Sequence, residues 1–416
     1  MGVNPLNDSY EYTTKSGLKV IYVYKKDFYK SYAGIGVKFG SADLEYYAGQ
    51  EKVLSKEGLA HFIEHKLFQM PDGDAIEAFA RVNATANAYT TTDKTIYYFS
   101  TVEKIYEPLE ILLSMFFTPY FVREDVEKEK SIIQAEIKMY EDVAVSGFNK
   151  KILSSLYPGD PLSANVAGTV ESVAQTTLED MQSAYDTFYT TDNSYLVIIS
   201  HEPKEKVFAA IEGALHKLSL KRGMPKVCSR VKSKKTSSDF VYEGKVEQTI
   251  ATLAIRMPVT NQIPLFCNYM IGILDCLFSP MAPFYQELYK KKTFTADIDY
   301  YAMTLEEAGY VVVSTTTNQP EMFLSLVEEK LSSLQAVDLD EEILDFYLRH
   351  LKAKAIADLD SIEYLGDEIL SLALENISYF KEIETYKKLT ITDFGGYISY
   401  FHKGMYLKAI CKKSEK

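Results

Sequence analysis

The two halves of this 416-residue chain repeat one another, and that repeat limits the possible folds more than any other feature. The segment TTLEDMQSAYDTFYTTDNSYLVII (176–199) has a counterpart near the C-terminus, LTITDFGGYISYFHKGMYLKAI (389–410). Each reads as a Thr/Asp helix start, an aromatic-rich helix, a short turn and a closing apolar strand. The offset is about 213 residues, close to half the chain. Two alternating strands, SYAGIGVKFGS (31–41) and QTIATLAIRMP (248–258), stand at a similar spacing. Self-similarity of such long period marks a duplicated domain, and a chain this long exceeds one compact core.

Between the repeats lies a polar, basic stretch, LKRGMPKVCSRVKSKKTSSD (220–239), without helical or strand periodicity. It reads as an interdomain linker, or else as a long surface loop inside one domain. The linker reading places a first domain at 1–222, the linker at 223–239 and a second domain at 240–416. Short β-rich runs alternate with amphipathic helices, and many connections are too short for parallel crossovers. The expected fold is α+β twice over, each domain a mainly antiparallel sheet backed by helices.

Chemistry concentrates in KEGLAHFIEHKLFQM (56–70). On a helix, His61, Glu64, His65 and Phe68 share one face, while Leu59, Phe62 and Ile63 turn towards a core. Two histidines four apart present imidazoles one turn apart, a spacing that suits one zinc ion. A carboxylate between them, beside the metal but not bound to it, can take a proton from a metal-activated water. The plain alternative is a polar helix face with satisfied core histidines. A zinc site of this kind needs a third protein ligand, and EDVEKEKSIIQAEIKMYEDV (124–143) offers one. There Glu129, Ile132, Ile133, Glu136 and Tyr140 are expected on one face, and carboxylates on an apolar stripe need a cation or a metal. Glu136 is the expected third ligand. Glu129 is expected to orient an imidazole from behind, or else to pair with a nearby lysine.

The order H-x-x-E-H reverses the commoner H-E-x-x-H and is the inverzincin signature. With the EKEKSIIQAEIKMYED helix, NATANAYTTTDKTIYYFS (83–100) and AGTVESV (167–173), the chain resembles the insulinase/pitrilysin zinc metallopeptidases over nearly its whole length. The likeness is to their bacterial single-chain, processing-peptidase-like branch. The resemblance implies two homologous domains closing like a clamshell, with one zinc per chain in the first. It also implies pairing as a homodimer, or as a heterodimer with a paralogous subunit lacking the motif. Members cleave extended peptides, so NAYT at 87–90 implies that Asn87 and the Ala88 backbone hold the substrate main chain, a strand-addition mode. In PFYQELYKKKTFTADIDYY (283–301), Lys292 and Asp299 stand where the family often has an Arg and a Tyr that grip the substrate carbonyl, with Tyr300 adjacent. Lysine lacks the planar fork of arginine, so Lys292 and Tyr300 are either weak substrate contacts or purely structural.

The expected activity is that of a zinc endopeptidase on unfolded peptides or small polypeptides. The alternative is a catalytically silent or partner-dependent subunit of a peptide-processing complex, against which the intact H-x-x-E-H argues. The net charge of −13 disfavours nucleic acid, which needs clustered Lys and Arg. The start of the chain lacks the pattern of a signal peptide or a myristoylation site, and no stretch has the apolar length to span a bilayer. Cys228, Cys267, Cys276 and Cys411 show no paired spacing and are expected reduced and buried, consistent with a cytoplasmic address.

Overall fold

The computed structural model describes residues 8–141, 143–259, 265–305 and 307–414. The segment 1–7, on which the reading of the N-terminus rests, lies outside the described residues. Two sheets organise the chain, and they share a strand order. The first runs Ser9–Thr13, Lys19–Tyr24, Ser194–Ser200, Ser31–Val37, Thr95–Thr101, Ala84–Thr90 in space. The second runs Phe240–Gly244, Met405–Lys413, Ile250–Met257, Ala308–Thr316, Asp299–Leu305. Omitting the outermost strand of the first sheet, each position has its counterpart in the second. In both, one pair is parallel, Lys19–Tyr24 with Ser194–Ser200 and Phe240–Gly244 with Met405–Lys413, and every other pairing is antiparallel. The repeated sequence segments are therefore repeated strands and helices, and each domain is α+β.

Two compact units emerge, and their membership does not follow chain order. The first takes the chain as far as Ile137, then Ala164–Cys228 and Ile356–Lys381. The second takes Lys138–Ser163, Ser229–Ala355 and the stretch from Glu382 onward. Boundaries drawn at 222 and 240 thus miss two exchanged segments, each of which covers a sheet. In the first unit, helix Ile362–Leu374 lies on strand Ser31–Val37, whose residues are buried at every position. The approach is close: a β-carbon on Gly366 would come within 2.2 Å of the Tyr32 ring. In the second unit, Phe148, Ile152 and Leu156 of helix Ala144–Leu156 pack on Ala254, Val312, Leu407 and Ala409 of the other sheet. Such helices bury an apolar face wherever a sheet needs one, and nothing local in the sequence says which sheet that is.

On its other face the first sheet carries the main core, where Phe62, Ile63, Leu112, Phe116, Met181, Phe188 and Ile211 meet. The stretch read as a linker is anchored. Lys226–Val227 pairs with Tyr46 and Tyr47, and the Arg222 side chain and the Gly223 N–H bond Asp192. Past the passage between units at Cys228–Ser229, the N–H groups of Lys232 and Ser233 both donate to Asp160 at 2.8 Å. The basic residues that suggested a solvated tether stand among backbone groups that carboxylates hold. All four cysteines are free; Cys276 and Cys411 are buried, while Cys228 and Cys267 are only half-buried. Among the described residues no helix is long and apolar enough to cross a membrane.

Candidate metal centre

The helix that carries the histidines, Leu59–Leu67, begins at Gly58, which has φ of 85°. A β-carbon there would stand 2.6 Å from the Ala167 carbonyl oxygen, so glycine is required twice over, by conformation and by space. Leu59, Phe62 and Ile63 then sink into the core. This leaves His61 and Glu64 on the site face, only 9% and 8% exposed. The helix ends at Leu67, so Phe68 falls just past it and packs near Tyr97 instead.

A second helix, Arg123–Glu141, faces the first. It is seated by Val126, Ile133 and Ile137. The expected stripe was different: Ile132 and Tyr140 are 56% and 51% exposed. One hundred degrees of rotation per residue separates Ile132 from the buried line, and Glu129 and Glu136 sit beside that line rather than among apolar neighbours.

Four predicted side chains converge here. His61 Nε2 lies 3.8 Å from Glu136 Oε1, and His65 Nε2 lies 3.6 Å from Glu136 Oε2. Ligand atoms of His61, His65 and Glu136 all lie within 4.8 Å of one another, the one such group among the described residues. Gaps of this size are too long for hydrogen bonds. They approach the ~3.4 Å between ligands that share a tetrahedral zinc at bond lengths near 2 Å. Behind them, His65 Nδ1 is 3.0 Å from Glu129 Oε1, which leaves Nε2 facing the cluster. The donor set is two nitrogens and one carboxylate with an orienting carboxylate behind, and it fits zinc.

The electrostatics favour a cation. Burial, aided by neighbouring His65, pushes the His61 pKa down to about 4, so this imidazole is neutral with a free lone pair. For His65, burial acts downward but is outweighed by the hydrogen bond to Glu129 and the nearby carboxylates, and its pKa is raised. Burial raises the Glu64 carboxyl, against the opposing pull of Thr90 and His65. Glu129 is lowered by its bond to His65. Three acidic side chains, Glu64, Glu129 and Glu136, are gathered around the two imidazoles, a grouping that a cation would stabilise.

Two participants escaped the sequence reading. Lys66 is fully buried, its ammonium bonded to Gln69 and 4.0 Å from Glu129 Oε2. Thr90 donates its hydroxyl to Glu64 Oε2 at 2.8 Å. It ends the NAYT run, two residues past Ala88. Asn87 and Ala88 lie on Ala84–Thr90, the edge strand of the first sheet, against which helix Leu59–Leu67 packs. The Ala88 N–H is taken up by Asn87 Oδ1 at 2.8 Å. Lys292 and Tyr300 belong to the second unit. Lys292 is exposed with φ of 55°, and its carbonyl accepts from Gln319 Nε2. The Tyr300 hydroxyl donates to Asp275 at 2.6 Å.

Comparison with known proteins bears on the same region. Residues 19–170 match the family described as Insulinase (Peptidase family M16), and residues 175–351 match Peptidase M16 inactive domain. The chain is 28% identical over 400 residues to the uncharacterized zinc protease YmfH of Bacillus subtilis, covering 92% of this chain and 91% of that one. It is 25% identical to an uncharacterized zinc protease of Rickettsia felis, over 76% of this chain and 77% of that protein. Among solved structures, an M16-like peptidase from Alicyclobacillus acidocaldarius superposes with a TM-score of 0.89 at 25% identity, covering 98% of both chains.

Proposed function

The chain belongs to the insulinase family of peptidases, family M16, and from that premise we propose that it is a zinc-dependent endopeptidase acting on peptides and small unfolded polypeptides. The observation that carries this reading is the convergence of His61, His65 and Glu136 within 4.8 Å, with Glu64 one turn from His61 on the same helix.

In this reading the two histidines and Glu136 hold one zinc, and Glu129 fixes the ring of His65. A divalent ion held there supplies Lewis acidity, bringing the pKa of a water towards ~7 and polarising a carbonyl. Glu64 is no ligand. Its carboxylate takes the proton from the attacking water and passes it to the departing amine, and a raised pKa suits a group that must both accept and return it. The substrate is extended because it adds as a strand beside Ala84–Thr90. The Ala88 N–H, capped by its own neighbour Asn87, then turns to a peptide carbonyl.

The test is zinc content and cleavage of a mixed peptide library, wild type against Glu64→Gln. Near-stoichiometric zinc in both and cleavage lowered on the order of 10²–10⁴-fold in the variant is the expected result. Full cleavage by Glu64→Gln would sink the assignment of the base. A wild type without zinc would remove the metal centre, and zinc without cleavage would favour a subunit that awaits its partner.

A further inference from the structure

Glu64 has two carboxylate oxygens, and the structure treats them differently. Thr90 Oγ1 is 2.8 Å from Oε2 and 3.3 Å from Thr95 Oγ1. Thr95 sends its own hydroxyl proton to the Phe39 carbonyl at 2.9 Å. A hydroxyl has one proton to give, so Thr95 has none left for Thr90. The Thr90 proton therefore goes to the carboxylate, the nearer and stronger acceptor. Thr90 itself is not free to drift. The preceding residue, Tyr89, points to the opposite face of the strand, where its hydroxyl donates to Asp367 Oδ1 at 2.5 Å on helix Ile362–Leu374. The end of the edge strand is pinned from both sides.

We propose that Thr90 is a positioning residue for the hydrolysis: by donating to Glu64 Oε2 it locks the carboxylate so that Oε1 alone accepts the proton of water and returns it to the amine. This rests on the peptidase reading given above. The strand that receives the peptide at Asn87 and Ala88 is thus the same strand that aims the base, so substrate register and base orientation are set by one element.

The experiment compares full-length, zinc-loaded wild type with Thr90→Val and Thr90→Ser, using Glu64→Gln as the reference for loss of the base. Thr90→Val keeps the shape and removes the donor. Its kcat should fall about ten- to a hundredfold, the range for a lost hydrogen bond to a charged group, with KM and zinc content within twofold. Thr90→Ser should restore most of the rate. A kcat for Thr90→Val within twofold of wild type, while Glu64→Gln loses about 10²-fold or more, overturns the proposal and leaves the peptidase reading standing. Equal loss in the valine and serine variants also overturns it, since serine retains the donor. A second readout needs no turnover: the Glu64 side-chain carboxyl ¹³C resonance of metal-free protein, assigned by its disappearance in Glu64→Gln. It should move in Thr90→Val and stay in Thr90→Ser. An unmoved resonance in Thr90→Val overturns the proposal whatever becomes of the peptidase reading.

Discussion

Helix Leu59–Leu67 of the first unit and helix Phe266–Phe278 of the second follow corresponding strands, Ser31–Val37 and Ile250–Met257, in sheets of the same order. The first reads LAHFIEHKL and the second FCNYMIGILDCLF. Both bury one face, with Phe62 and Ile63 in one core and Met270, Ile273 and Leu274 in the other. The difference is on the opposite face. In the first unit it holds two imidazoles and a carboxylate within reach of Glu136. In the second its one carboxyl group, Asp275, has its pKa raised by burial and accepts a hydrogen bond from Tyr300. The same packing problem is solved twice, and among the described residues a cluster of possible metal ligands is added to only one solution. Architecture and site are separable properties of this sequence.

The comparison can be broken by exchanging the consequences. His61→Ala should leave purified protein without zinc and without cleavage, whereas Asp275→Ala at the corresponding helix should leave metal content at the wild-type level. Zinc loss in Asp275→Ala, read by atomic absorption, would mean that the second helix supports the metal after all. Leu274→Ala should lower unfolding stability by about 2–5 kcal/mol, as large-to-small changes in a core do, with zinc stoichiometry unchanged in the protein that remains folded. Denaturant titration alongside metal analysis checks both halves of that statement. The smallest effect is expected at Glu129→Gln, where zinc affinity should fall about 10- to 100-fold, as for other residues that orient a metal-bound imidazole.

Proton competition sharpens the same contrast. His65 must shed its proton to bind zinc, and its pKa lies above the ordinary 6.5. Zinc affinity should therefore begin to weaken at a higher pH than an unperturbed imidazole would dictate, and fall further as pH drops. In Glu129→Gln the hydrogen bond that raises this pKa loses its charge, so the onset should shift to lower pH. Chelator competition across a pH series measures it, and an unshifted onset would separate Glu129 from His65.

The grouping of side chains at the candidate site was legible because its information is local. His61, Glu64 and His65 sit one helical turn apart, and Glu136 stood out as a carboxylate on a helix with an apolar side. The edge position of Asn87 and Ala88 came from resemblance rather than from their chemistry. Ile132 and Tyr140 were misplaced because two apolar lines a residue apart compete on one helix, and only packing selects Val126, Ile133 and Ile137. Lys66 was invisible because nothing in a lysine's neighbours along the chain announces full burial. Thr90 was invisible because a strand-ending threonine is ordinary until its partner, 26 residues earlier, is in place. The late helix in the first unit carries a capping Ser361 and an apolar face, but nothing local assigns it to the first sheet.

That helix has a consequence for how the protein is made. Strand Ser31–Val37 leaves the ribosome about 325 residues before the helix that shields its second face, Ile362–Leu374, begins to be translated. At ordinary elongation rates of about 5–20 residues per second, the interval is on the order of tens of seconds. During that time the Tyr32 side of a nearly complete sheet lies open to whatever apolar surface is nearby. Nascent chains of this protein should accordingly lean on holdase chaperones until helix Ile362–Leu374 has emerged. A stop codon after the first half would strand them in that state for good.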